Sequence, residues 1–181
     1  MQAHTSFFGR LFFFIMVFPF SLSAVYPQDE ILAEIKYKED YDRLQKITKV
    51  TQPVKRADLM VTFYKERPDL DPQLRAYADN IFAKDLESLW RQDNTVAMRG
   101  LCERALKIRP RFGEAYFFHA VVLKKDRKIE ESMNAFAKCY VIKNPLQKKA
   151  KELLDVTYRT FNKRSLIGEE KIIKKAMQEM K

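Results

Sequence analysis

Histidine and cysteine are the side chains of this sequence best suited to catalysis or metal binding, and the chain has few of them. It contains two His and two Cys in 181 residues. His119, Cys102 and Cys139 are the ones beyond the N-terminal region, too small a set for a Cys/His metal site. A cysteine nucleophile needs an activating base, and His119 is the one candidate. We therefore expect no catalytic centre, no metal and no cofactor.

Packing explains these side chains better than chemistry does. His119 falls among apolar residues of a predicted helix, which favours a hydrogen-bonded core histidine. Cys102 and Cys139 occupy packing positions on two helices, so buried free thiols are expected, with a disulfide as the alternative. Trp90, near the end of another predicted helix, is expected to pack inward.

Glycine and acidic residues give no sign of a phosphate or acid–base site. The four Gly are scattered, so the sequence has no glycine-rich loop to hold a phosphate. The acidic pairs at 130–131 and 169–170 open predicted helices, where carboxylates complement the helix dipole. A structural role accounts for both pairs.

Residues 1–24 differ in composition from the rest of the chain. One basic residue, Arg10, precedes the apolar run 11–20, and small residues follow at Ser21, Ser23 and Ala24. This order is typical of a secretory signal peptide, cleaved after residue 23 or 24. The run is shorter than the ~20 residues of a membrane span, although an uncleaved anchor is the alternative. We expect a secreted or periplasmic protein with no membrane span after cleavage.

Proline and short polar breaks divide the remaining chain into helical segments. Apolar residues recur at helical spacing between these breaks, and Thr51 and Asp71 stand before prolines as helix-starting residues. The pattern predicts an all-α protein without a sheet, with helices over about 29–49, 51–66, 72–92, 95–108, 113–125, 128–142, 146–161 and 165–180.

The sequence matches itself when shifted by 34 residues. In the first helices the matched sets are Phe82, Leu86 and Leu89, then Tyr116, Ala120 and Leu123, then Ala150, Leu154 and Thr157. In the second helices they are Met98, Cys102 and Ala105, then Ser132, Phe136 and Cys139. Pro110 and Pro145 close those helices at offsets that differ by one residue.

This period resembles the tetratricopeptide (TPR) repeat, best over residues 72–157. The resemblance implies an α-α hairpin solenoid of two to three repeats over 71–161, after a helical hairpin at 25–70 and before a capping helix at 162–181. An irregular helical bundle is the alternative. The chain departs from the family where Leu86 and Ala120 replace its glycine.

In TPR proteins the first helices line a concave face that binds peptides. Carried over by helical phase, that face would hold Asn80, Lys84, Arg91, Phe117, Val121, Lys124, Lys125, Lys148, Lys151 and Arg159, with fewer acids: Glu87, Glu114, Glu152 and Asp155. The net charge of +10 also favours an acidic guest.

The resulting hypothesis is an exported, non-enzymatic scaffold that binds an acidic or extended protein segment. The alternative is a basic helical protein that binds an anionic polymer or surface, such as acidic polysaccharide, phospholipid or nucleic acid. Nucleic acid is the least favoured of these, because aromatic residues do not alternate with Lys and Arg on one face.

Overall fold

Eight helices make up the part of the chain that the computed structural model describes, residues 28–181, and the all-α prediction is confirmed there. They are α1 (Gln28–Thr48), α2 (Pro53–Glu66), α3 (Pro72–Arg91), α4 (Thr95–Ile108), α5 (Gly113–Lys125), α6 (Ile129–Val141), α7 (Gln147–Phe161) and α8 (Glu169–Glu179). Within residues 28–181, no helix combines the length and apolar character needed to cross a bilayer. The predicted signal peptide lies outside the described residues.

Local sequence explains where these helices begin. Proline is the first residue of α2 and of α3, where its missing N–H is not needed. The Asp71 carboxylate caps α3 by accepting hydrogen bonds from the N–H groups of Gln73 and Leu74. Gly168 precedes α8 with a φ of 98°, which glycine adopts without strain.

Each helix from α1 to α6 packs on the next one in the chain and, in several cases, a helix also packs on the one after that. Consecutive pairs in contact run without a break from α1·α2 to α6·α7. Alternate pairs in contact are α1·α3, α3·α5, α2·α4 and α6·α8. The odd-numbered helices α3 and α5 thus lie side by side, as do the even-numbered helices α2 and α4.

One continuous apolar core runs between the helices. Many of the 34-residue matches are among its fully buried side chains, with Phe82, Leu86 and Leu89 in α3 and Ala150 and Leu154 in α7. Two sets of aromatic rings lie within this core. Tyr64, Phe82 and Phe112 form one set and Phe117, Phe118 and Phe136 the other, with ring centroids 5.3–6.1 Å apart.

Candidate functional site

The side chains best suited to catalysis lie apart and have few polar partners. Cys102 in α4 and Cys139 in α6 are free buried thiols, as predicted. Burial raises the pKa of both, that of Cys139 to about 12. His119 is half-buried, and its Nε2 lies 3.8 Å from Glu103 Oε1, too far for a hydrogen bond. The prediction of a hydrogen-bonded histidine is wrong, and burial lowers the pKa of His119.

Two adjoining cavities, lined mainly by residues of α3, α5 and α7 and by the turns before α5 and α7, form a surface that we call the inner groove. The two cavities share Glu87, Phe118 and Leu146. One, the apolar cavity, has a volume of about 530 Å³, and the other, the polar cavity, about 470 Å³. Both volumes are in the range of small-ligand and peptide side-chain pockets, roughly 300–1,000 Å³.

The apolar cavity lies between α5 and α7, below the end of α3. Its residues are Glu87 and Trp90 of α3, Phe117, Phe118, Val121, Lys124 and Lys125 of α5, Phe136 of α6, and Leu146, Lys149 and Leu153 at and within α7. Aromatic and aliphatic groups form the floor, and three lysines stand at the rim. An apolar side chain with adjacent negative charge fits this arrangement.

Trp90 supplies part of that apolar surface. The prediction that it packs inward is wrong, because 39% of the residue is exposed. Its ring faces Lys125, whose Nζ lies 5.8 Å from the ring centroid and also pairs with Asp93. Trp90 stands one residue before the end of α3, where it lines the apolar cavity.

The polar cavity lies between α3 and the turns before α5 and α7. Ala76, Asn80, Ala83 and Lys84 form its α3 wall, at the i, i+4, i+7 and i+8 positions of one helix face. Asn144 closes the far side, packed so tightly on Gly113 that a Cβ there would lie 2.3 Å from its Nδ2. Only glycine permits this contact.

A buried polar network forms one side of the polar cavity. Arg109 pairs with Asp79 through two nitrogens and lies over the rings of Tyr64 and Phe112, at 4.7 and 4.2 Å. The Tyr64 hydroxyl donates a 2.8 Å hydrogen bond to the same Asp79. Asp79 thus engages both terminal nitrogens of this arginine, and the two aromatic rings lie against its guanidinium group.

Glu114 is the exception within that network. The residue is buried, and its carboxylate has no ion-pair partner among residues 28–181. Burial raises its pKa, an effect that nearby Asp79 increases and Arg109 partly offsets. The polar cavity thus contains one weakly stabilised carboxylate among basic groups.

Four lysines of the inner groove have no carboxylate within ion-pair distance in the described part of the chain. They are Lys84 and Lys143 in the polar cavity and Lys124 and Lys149 in the apolar cavity. By contrast, Glu87 is paired with Arg91 and Lys125 with Asp93. The groove therefore presents unneutralised positive charge beside an apolar floor.

The structure brings six of the ten predicted groove residues together. Asn80 and Lys84 line the polar cavity, and Phe117, Val121, Lys124 and Lys125 the apolar one. Lys148 and Lys151 lie on the other side of α7 beside Tyr140, where Lys151 pairs with Asp155 and Glu169. Arg91 and Arg159 are exposed outside both cavities.

The placement of the α7 residues has a geometric reason. A groove between α5 and α7 is lined by the flank of α5 that faces α7 and by the flank of α7 that faces α5. The α7 residues that are equivalent by repeat to the groove residues of α5 therefore lie on the opposite flank of α7, away from the groove. The apolar cavity also contains residues that helical phase did not predict there: Trp90, Phe118, Leu146, Lys149 and Leu153. The last three form an i, i+3, i+7 set beside the buried Ala150 and Leu154, which was the available signal.

Comparison with protein-family models, with curated proteins and with solved structures finds no match to this chain.

Proposed function

We propose that this chain is an exported, non-enzymatic TPR-like scaffold whose inner groove binds an acidic segment of another protein through an apolar side chain. One observation carries the proposal: Lys124 and Lys149, which have no carboxylate partner in the described chain, line a cavity of aromatic and aliphatic groups, and two more such lysines line the adjoining polar cavity. The apolar cavity would take the anchoring side chain, and the lysines would attract carboxylates on either side of it.

The order of helix packing supports the solenoid in this proposal. If α1–α2, α3–α4 and α5–α6 are taken as hairpins, the second helix of each contacts the helix that follows it, in the pairs α2·α3, α4·α5 and α6·α7. The first helices of two successive hairpins, α3 and α5, are also in contact. The 34-residue matches place buried residues at equivalent positions in α3, α5 and α7, such as Leu86, Ala120 and Leu154. Repeated packing of this kind is what a stack of hairpins requires.

Export is supported by the N-terminal sequence pattern. A basic residue, an apolar run and the small residues Ser21, Ser23 and Ala24 are the features of a cleaved signal peptide. We propose a secreted or periplasmic location. A mature protein that retains residues 1–24 would contradict cleavage and favour the anchor.

Peptide binding is tested with a matched pair of dye-labelled probes. One is the acetylated hexapeptide Ser-Asp-Asp-Leu-Phe-Asp, and the other replaces each Asp by Lys. Fluorescence anisotropy should show saturable binding of the acidic probe alone. Because rim lysines make the contacts, Lys124→Glu with Lys149→Glu should weaken that binding at least tenfold.

A control variant separates the groove from overall charge. Lys171→Glu with Lys174→Glu changes the net charge equally on exposed sites of α8 and should leave probe affinity within twofold. Equal loss in both double variants would contradict a groove. Preference for an oligonucleotide, with affinity that collapses between ~50 and 200 mM salt, would instead favour the anionic-polymer alternative.

A further inference from the structure

The N-terminal half of α1 extends beyond the packed body of the molecule. The buried residues of this helix are Asp40, Leu44 and Ile47, all in its second half. Lys36 pairs with Asp69 in the turn between α2 and α3, and every residue before Lys36 in the described chain is exposed. At 1.5 Å per residue, residues 28–35 project ~12 Å past that turn.

This free segment carries a large apolar surface. Ile31, Leu32 and Ile35 are 47%, 58% and 51% exposed and lie close together at i, i+1 and i+4. An apolar helix face without a partner indicates a docking surface.

The segment is also acidic. Residues 28–35 contain Asp29, Glu30 and Glu34 and no basic residue, although the chain as a whole has a charge of +10. The three carboxylates flank the apolar side chains on the same two helical turns. An acidic segment with an apolar centre is the ligand chemistry proposed above for the inner groove.

We propose that residues 28–35 of one copy of this chain dock in the inner groove of a second copy. The inference rests on the proposed function of the groove and specifies its occupant. Ile31, Leu32 and Ile35 would enter the apolar cavity, and the carboxylates would pair with Lys124 and Lys149. The contact buries the exposed apolar face and neutralises unpaired charge of both signs.

The geometry of α1 favours a second copy over the same chain. The helix is continuous from Gln28 to Thr48, and its second half is fixed by Asp40 pairing with Arg67 and by buried Leu44. Reaching the groove of its own chain would require α1 to break near Lys36. Docking in another copy leaves the helix intact.

Sedimentation velocity measures self-association of the purified protein from ~1 to 100 µM. Variants in which the charges of the segment or of the groove are reversed test whether these two surfaces make the contact. The wild-type mass should rise with concentration. Variant A carries Asp29→Lys, Glu30→Lys and Glu34→Lys, and variant B carries Lys124→Glu and Lys149→Glu. Each alone should associate at least tenfold more weakly. Mixed in equal amounts, A and B should associate again, because the unchanged acidic segment of B fits the unchanged groove of A and the reversed segment of A meets the reversed groove of B.

Two further variants test the apolar contribution to the contact and the effect of overall charge. Ile31→Ser with Ile35→Ser should weaken association at unchanged melting temperature, and Lys171→Glu with Lys174→Glu should leave association unchanged. A monomer at 100 µM, or a mixture of A and B that does not associate, overturns the self-docking. In that case the proposed function still stands if the acidic probe binds and its binding depends on Lys124 and Lys149. If the acidic probe does not bind either, both the self-docking and the proposed function are contradicted.

Discussion

Two regions of the helical body are held together by different contacts. Where α2 meets α3 and α1, buried carboxylates pair with arginines: Asp85 with Arg56, and Asp40 with Arg67. Where α6 meets α7, no buried carboxylate–arginine pair is found in the described chain, and the buried side chains of α7 include the apolar Ala150 and Leu154. We call these the polar junction and the apolar junction.

The difference shows which cations are structural. At the polar junction the arginines form ion pairs with carboxylates or lie against aromatic rings. On the inner groove, next to the apolar junction, Lys124 and Lys149 have no carboxylate partner in the described chain. The net charge does not distinguish cations that pair with carboxylates from cations that do not, whereas the ion pairs of the folded chain do.

The largest effect is expected from breaking the polar junction at Arg56. Its Nε lies 3.1 and 2.9 Å from the carboxylate oxygens of Asp85, which is 0% exposed. Arg56→Met leaves that carboxylate buried without a partner and should lower the free energy of unfolding by about 3–5 kcal/mol. Chemical denaturation at pH 7 measures the loss.

A second substitution tests the reason for that loss. Arg56→Met with Asp85→Leu replaces the pair by apolar groups and should recover most of the stability, because no buried charge remains. In the single variant the loss should shrink as pH falls, since burial already raises the pKa of Asp85 and protonation removes the charge. A double variant as unstable as the single would contradict an electrostatic origin.

The apolar junction should be sensitive to volume instead. Ala150 is fully buried where α7 packs on α6. Ala150→Trp overfills this contact and should cost about 1–3 kcal/mol of stability, with no dependence on pH between 5 and 8. Val156→Trp, on an exposed site of the same helix, is the control and should change stability by less than ~0.5 kcal/mol.

A smaller, pH-dependent effect is expected at Glu114, which lies between the two junctions. Burial raises its pKa in the folded protein, so the ionised carboxylate destabilises the fold above that raised value. Below the ordinary value of about 4.5 the group is protonated in both states and the cost disappears. Glu114→Gln should therefore stabilise the protein at pH 7 and have no effect at pH 4.

Thermal unfolding of the two proteins across this pH range gives the comparison. The melting-temperature difference should favour the Gln variant at pH 7 and close as pH falls. A difference that stays constant with pH would mean that the amide makes a new contact and that ionisation of Glu114 is not the cause.

Much of the helical pattern could be predicted from the sequence because its signals are local. The spans 95–108 and 113–125 match α4 and α5, which polar breaks and prolines bound. Predictions fail where the signal is weak: Gln52, not Thr51, precedes α2, and α8 begins only at Glu169 after Gly168. Such boundaries depend on backbone conformation more than on residue type.

The groove could be predicted only in part, because it depends on relations between helices. Helical phase placed Lys84 and Lys124 correctly, since α3 and α5 present those flanks directly. It misplaced Lys151, whose position in the repeat lies on the flank of α7 away from α5. Trp90 was not predicted to line the groove, because the exposure of an indole near a helix end depends on the neighbouring helices and not on the local sequence.

The smallest effect on stability is expected from the groove lysines themselves. Lys124→Glu with Lys149→Glu breaks no ion pair in the described chain and removes one weak contact, that of Lys149 Nζ 5.5 Å from the Phe117 ring centroid. Such a contact contributes ~0.5–1 kcal/mol at an exposed site. Lowering a net charge of +10 reduces repulsion and offsets part of it.

The free energy of unfolding should thus change by less than about 1 kcal/mol, even though both charges are reversed. Arg67→Glu is the contrasting variant, since it places a like charge beside the buried Asp40 and should destabilise far more. Denaturation of the two variants under identical salt decides the matter. If the lysine reversal cost as much as the arginine one, the groove cations would be structural, and their lack of carboxylate partners would no longer support a binding role.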